Sequence, residues 1–414
     1  IHTSIESMMQ GFFTAKETAS VSRPDGKVRS CASCGLYKNV NTPRMKPFGN
    51  FKKGIMNIGE APGEEEDAAG KPWQGKTGKL LQRTYRKLGI DLFEDCININ
   101  ACHCRPTDAR GDNRAPTNDE IENCRRTTLR YIHQYNPKLV VLLGNSAVTS
   151  VIGSRWKKEL GGISKWRGWQ IPDQDLNTWI CPTYHPSFVE RSDSADIDSI
   201  WIRDLREAFS LLEKPFLKHK EPYVEYPPDL RVLDRIKDGV ISFDYETTGK
   251  KPHARAHRIV IASVADSPDH CYVFHSPKTP LEWKPFIRLL TDPKVGKIAQ
   301  NMKFEHMWTQ SKLRVEVQNW VWDTMIAAHI LDNRYGVTGL KFLVYVHFGI
   351  VDYDSEIAPY LRSNNEKDSN AINRIYELLQ MPGGSEKLMY YCALDSIYEY
   401  RLAMLQQSEI LLPF

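Results

Sequence analysis

Short apolar runs alternate with helical patterns through the first half of the chain. IMNI (55–58) reads as a strand, and a loop carrying Gly59, Gly63, Gly70, Gly75 and Gly78 follows it. GKLLQRTYRKLGI (78–90) then reads as a helix and CININ (96–100) as a second strand. Thr117-Asn-Asp-Glu120 has the spacing of a capping box and opens a helix through about Gln134. LVVLL (139–143), closed by Gly144, and TWICPT (178–183) complete the strand candidates. Strands alternating with helices predict a parallel α/β/α sandwich, whose ligands bind beyond the carboxyl ends of the strands. EKPFLKHKEPYVEYPPDL (213–230) is rich in proline and charge and has no periodicity, so it reads as a linker. Beyond it, 240–245, 259–265 and 271–275 read as strands. Helices are predicted at about 284–290, 304–310, 322–332 and 386–406, which makes a second, mixed-sheet α/β domain. The expected organisation is an N-terminal extension (1–30), a first domain (31–212), a linker (213–228) and a second domain (229–414).

The 414 residues suit two or three domains. With 55 basic and 51 acidic residues the net charge is only +4, too slight to point to a nucleic acid, so such a claim must come from sites. No apolar run reaches the ~18 residues of a membrane span, and IHTSIESMMQGFFTAK lacks the plan of a signal peptide. A cytoplasmic protein is expected, and the initial Ile suggests a fragment or a processed product. Nine cysteines without a secretory signal read as metal ligands, catalytic residues or core rather than disulfides.

Cys31 and Cys34 form a C-x-x-C pair, and Cys104 and Cys124 follow in a loop and on a helix. Four thiolates could hold a zinc ion or an iron–sulfur cluster, and spacing does not choose between them; a stray pair plus core cysteines is the plainer alternative. Three predicted strands end on polar groups: Glu60 within GEAPGEEED, Asn100, and His185 within TYHPS. These motifs, GEAPGEEEDAAGKPWQGKTGKLL, NACHCRPTDARGDNRAPTNDEIENC, VVLLGNSAV and PTYHPSFVER, resemble in order those of a family 4 uracil-DNA glycosylase, the iron–sulfur class, from about Cys31 to Leu212. The resemblance implies that Cys31, Cys34, Cys104 and Cys124 ligate a [4Fe–4S] cluster and that Glu60 activates or orients the attacking water. It also implies that Trp73, where Phe is more usual, stacks on the flipped uracil, that Asn100 reads its edge, and that His185 stabilises the leaving anion. Those roles suit the chemistry, because a base must leave the duplex to be attacked and an amide can tell uracil from cytosine. The loop RPTDARGDNRAP is longer than usual. A related branch carries there a histidine that becomes covalently linked to DNA; this loop has none, so ordinary turnover is expected. Arg105, Arg110 and Arg114 are candidates for phosphate contacts, or a solvated loop.

In the second half FDYETTG places Asp244 and Glu246 on one face of a strand. With NMKFE (301–305), WDTMIAAHILD (322–332) and YCALDSIYEYRL (391–402) it resembles the DEDD-type 3′–5′ exonuclease domain, notably the proofreading domain of family A DNA polymerases, over about 229–407. The resemblance implies an RNase H-like fold and two Mg²⁺ or Mn²⁺ ions on Asp244, Glu246, Glu305 and Asp395, with Tyr391 orienting the water. Glu305 stands where Asp is commoner, which puts one metal in doubt. Asp323 reads as a helix-capping carboxylate. Trp156, Trp166 and Trp169, interleaved with Lys157, Lys158, Lys165 and Arg167, read either as a stacking surface for single strands or as partly buried tryptophans. Phe188 and Val189 are candidates for a wedge that fills the gap left by a flipped base.

The sequence thus predicts a uracil-DNA glycosylase joined to a 3′–5′ exonuclease that acts on uracil-containing DNA and 3′ ends. It would serve a polymerase, for example a viral one, that follows in the same chain, or a separate polymerase. The rival readings are a uracil- or abasic-DNA sensor with an inactive exonuclease-like scaffold, and a zinc-stapled structural protein.

Overall fold

A computed structural model describes residues 29–365, 367–368 and 370–410. The expected N-terminal extension lies outside them but for Arg29 and Ser30, as do the last four residues of the chain. The structure splits into two compact units. One runs to His219 and takes in Tyr345–Val351; the other is Lys220–Val344 with the chain from Asp352 onward.

The first unit is built on β1 (Ile55–Gly59), β2 (Cys96–Asn100), β3 (Leu139–Leu143), β4 (Ile171–Asp173) and β5 (Thr178–Thr183), in the order β2-β1-β3-β5-β4. Every pairing is parallel except β4 with β5. All residues of these strands are buried, as expected where helices cover both faces. Ile55, Leu139, Val141, Leu81, Tyr85, Trp201 and Leu205 share one core cluster. Polar strand residues are paired within it: Tyr85 donates to Asn57 Oδ1 (2.7 Å), and Asn57 donates to Asn98 Oδ1 (2.9 Å). The helix Asn118–Tyr135 starts at the expected capping box, with Thr117 and Glu120 satisfying each other's backbone N–H groups. β4 escapes the sequence pattern because it is three residues long and carries Pro172, which an edge strand tolerates.

The second unit holds β6 (Tyr223–Glu225), β7 (Gly239–Thr247), β8 (Ile259–Ser267), β9 (His270–His275), β10 (Val295–Ala299) and β11 (Trp320–Asp323), in the order β11-β10-β7-β8-β9-β6. The hairpins β7-β8-β9 are antiparallel, and β10, β11 and β6 join in parallel, so the sheet is mixed. The helix Gly384–Ile410 packs on β7, β8 and β9. Two expectations are corrected here. The stretch read as a linker contains β6, an edge strand too short to show alternation. The helix expected at 322–332 is Thr324–Leu331, because Trp322 and Asp323 belong to β11; Asp323 caps the helix by accepting from the N–H groups of Met325 and Ile326.

Candidate active sites

The order of the first sheet decides where its polar groups meet. β1 lies between β2 and β3, so the chain leaves β1 to one side and β3 to the other, and a crevice opens between their carboxyl ends. Glu60 follows β1 and accepts a hydrogen bond from the Ser146 hydroxyl (2.9 Å), which sits just past β3. Asn100 ends β2 opposite Gly59 and is buried. Gly59 is required: a Cβ there would lie 2.5 Å from Asn100 Oδ1 and 2.9 Å from the Trp73 ring. Trp73 is itself buried, at φ 62°, and its backbone N–H is held by Glu66 Oε1 (2.6 Å) while Glu66 Oε2 takes the Gly63 N–H (2.7 Å). One carboxylate therefore ties Gly63 and Trp73, ten residues apart, to the same short helix. Burial raises its pKa, against those N–H bonds.

His185 caps the helix Pro186–Ser192, beyond β5. Its Cβ packs against Gly144, where an added Cβ would stand 2.9 Å away. Its ring lies 5.7 Å from that of Trp73, tilted by 34°. The Ser187 backbone N–H donates to Nδ1 (3.3 Å), so Nδ1 is an acceptor and the neutral ring carries its proton on Nε2. Burial, with a smaller contribution from Arg191, pushes its pKa down to about 4. The crevice thus holds an aromatic face, an amide, a neutral N–H donor and a carboxylate. Of the wedge candidates, Val189 is buried and Phe188 is exposed.

The C-x-x-C pair forms the turn Cys31–Cys34, capped by Ser30. Asn123, beside Cys124 on the long helix, accepts from the Ser30 N–H (2.9 Å) and the Ser33 hydroxyl (3.1 Å). Cys104 accepts from the Arg44 N–H (3.2 Å). Burial, then the charges of Cys124, Cys31 and Cys34, pushes the Cys104 thiol up to about 11. Cys102, outside the expected set, lies 3.9 Å from Cys124, and the hydrogen bond between the two sulfurs brings the Cys124 thiol down to about 7. No three of the four expected sulfurs lie within 4.8 Å of one another. A single tetrahedral zinc with ~2.3 Å bonds needs them closer, at about 3.8 Å.

Two surface features were open to two readings each, and the structure bears on both. Arg114 is committed to Glu120 in a bidentate pair (2.6 and 2.8 Å), Arg105 bonds Asn113 and Glu64, and Arg110 pairs with Asp108 and Asp112, so these arginines fold their own loop. Trp156 and Trp166 are core residues that donate to the carbonyls of Glu159 and Leu160. Trp169 likewise donates to the Lys165 carbonyl (3.1 Å), which leaves no exposed stacking row among them.

In the second unit Ser242, Asp244 and Glu246 alternate onto the face of β7 under the helix Gly384–Ile410, where Ser242 donates to the Ser396 carbonyl (2.6 Å). Ligand atoms of Asp244, Glu246 and Cys392 lie within 4.8 Å of one another. Glu305, on the helix Lys303–Trp308, and Asp395 stand outside that group. Their charges still reach it. Burial first, then Asp395, pushes Asp244 up to about 7; burial, Asp244 and Asp395 raise Glu246; burial and Asp244 raise Glu305. Buried Glu305 Oε2 has no hydrogen-bond partner. Such an orphaned oxygen among repelling carboxylates fits a site for hard divalent cations. Asp395 Oδ1 accepts from the Tyr353 hydroxyl (2.7 Å) and from the Lys341 ammonium. Tyr391 is buried one turn before Asp395.

The sequence reading missed Ser146, Glu66, Lys341, Tyr353 and Glu399. Glu399 is a fully buried carboxylate one turn past Asp395, and its Oε2 has no partner. Its i+4 spacing from Asp395 was the available signal.

Residues 46–206 match the uracil DNA glycosylase superfamily, and residues 230–407 match a 3′–5′ exonuclease family. A Type-4 uracil-DNA glycosylase of Thermotoga maritima is 34% identical over 188 residues, 45% of this chain and 92% of that protein. A DNA polymerase of Bacillus phage SP01 is 26% identical over 337 residues, 72% of this chain but only 34% of the phage protein. Among solved structures, Brucella melitensis NrnC with bound Mg²⁺ is 18% identical at a TM-score of 0.32, over 46% of this chain and 81% of that one. Among the described residues no helix is long and apolar enough to cross a membrane.

Proposed function

Because the chain belongs to the uracil-DNA glycosylase superfamily and carries a 3′–5′ exonuclease domain after it, we propose that it is a bifunctional enzyme, excising uracil from DNA and trimming 3′ ends. In the first reaction the C1′–N1 bond breaks, water supplies a hydroxyl to C1′, and uracil leaves as an anion. Trp73 stacks on the extruded base and the Asn100 amide pairs with its edge. Glu60, steadied by Ser146, takes the proton of the attacking water. His185 donates from Nε2 to the developing negative charge. The observation that carries the reading is a neutral imidazole with Nδ1 already occupied, facing the Trp73 ring at the crevice. Cys31, Cys34, Cys104 and Cys124 would hold a [4Fe–4S] cluster, which hydrolysis gives no redox task and which would staple the C-x-x-C turn to the long helix.

In the second reaction Asp244, Glu246, Glu305 and Asp395 would hold two Mg²⁺ or Mn²⁺ ions. Those ions would supply an activated water and charge stabilisation at the leaving 3′ oxygen. Tyr391 orients the water. Matching one third of a phage polymerase supports a polymerase as the partner, in the same chain or apart from it, at work in the cytoplasm of a bacterial or virus-infected cell. A uracil-containing oligonucleotide followed by alkaline cleavage tests the first reaction. The wild type should yield abasic sites, and Asn100→Ala should not. Equal cleavage by both would remove Asn100 from uracil recognition.

A further inference from the structure

Lys341 is a feature of the exonuclease site that neither motif nor composition announces. It opens the helix Leu340–Phe348, and its ammonium does three things at once. It ion-pairs with Asp395 Oδ1. It donates to the Tyr353 hydroxyl (2.9 Å), which in turn donates to the same carboxylate oxygen (2.7 Å). It also sits over the rings of both Tyr353 and Tyr391, 4.2 Å from each centroid. A cation desolvated between two aromatic faces and paired with a carboxylate is held in one place. We infer that Lys341 is a positioning residue for the exonuclease: with Tyr353 it occupies Asp395 Oδ1, so that only Oδ2 is offered to a divalent cation, and it fixes the Tyr391 ring beside it.

The charge balance gives the inference a distinctive sign. Asp244, Glu246, Glu305, Asp395 and Glu399 crowd this region, and Lys341 is the cation paired with one of them. Removing its charge makes the cluster more attractive to divalent cations while freeing Asp395 to turn and offer both oxygens. Metal binding should therefore tighten as turnover falls. A lysine that merely fills space would not produce that split, because methionine keeps its apolar stem.

The inference rests on the two-metal reading, and the test separates the two. Mn²⁺ binding to the 414-residue chain is titrated by the electron paramagnetic resonance of the free ion, for the wild type, Asp244→Ala, Lys341→Met and Lys341→Arg. Lys341→Met is expected to bind Mn²⁺ roughly 10-fold more tightly, the scale of one unit charge several ångströms away at intermediate dielectric. Its exonuclease kcat should fall about 10²-fold, as for a catalytic group misplaced by about an ångström, and Lys341→Arg should restore part of both. Unchanged or weaker Mn²⁺ binding by Lys341→Met, with wild-type binding abolished by Asp244→Ala, overturns the role of Lys341 alone. Wild-type protein that binds no Mn²⁺ overturns the two-metal reading, and this inference with it.

Discussion

His185 and His103 show how burial sets chemistry one residue at a time. Each is held neutral, its pKa pushed down to about 4 mainly by burial. Uracil excision should therefore be nearly flat in pH from 8 to about 5, because His185 keeps its Nε2 proton throughout and gains no second one. His185→Ala should slow excision by roughly 10²-fold, the scale of losing one well-placed donor; a rate profile at saturating enzyme checks both. For stability a depressed histidine pKa acts in the same direction as a depressed carboxylate pKa. Between about 4 and the ordinary histidine value of 6.5 the unfolded chain takes up a proton that folded His103 refuses. Stability is thus present above about 6.5 and lost as pH falls toward 4. His103→Gln, which keeps a group able to bond Thr128, should reduce the drop in Tm between pH 7 and pH 4. Residues at strand ends were legible in the sequence because each motif keeps its side chain and its strand in one short run. Lys341 and Tyr353 were not, because 54 residues separate Lys341 from the Asp395 carboxylate it holds and no local pattern links them.

At the scale of elements, the crevice depends on how closely strand ends and loops approach. Gly59→Ala would drive a methyl into Asn100 Oδ1 and Trp73. It should cost about 1–3 kcal/mol of stability, as overpacking does, and should remove uracil recognition while the sheet survives. Circular dichroism alongside an excision assay would separate the two effects. The Arg114–Glu120 pair ties the loop Arg105–Arg114 to the first turn of the long helix, so Arg114→Ala should loosen that loop without a change in DNA affinity, as measured by proteolysis and by a filter-binding titration. These arginines, and the tryptophans Trp156 and Trp166, show where sequence reading stops. Basic and aromatic residues look the same in a row whether they face DNA or, as here, one another and their own backbone. The short edge strands β4 and β6 were missed for a related reason: three residues give no period to detect.

Across the whole molecule, two chemistries with different requirements stand on two separate cores. On the proposed reading, excision uses side chains and water, whereas the crowded carboxylates of the second unit need cations before they can act. Pure protein should be brown, with broad absorbance near ~400 nm from thiolate-to-iron charge transfer, and Cys104→Ala should bleach it; colourless protein carrying one zinc ion would contradict the cluster. The most direct test of the central claim follows one 5′-labelled, uracil-containing oligonucleotide in chelator and in Mn²⁺, with the wild type, Asp244→Ala and His185→Ala. The account predicts that chelator and Asp244→Ala each stop 3′ shortening and leave uracil removal intact, while His185→Ala does the reverse. Loss of uracil removal in a folded Asp244→Ala protein, or in chelator, would contradict it.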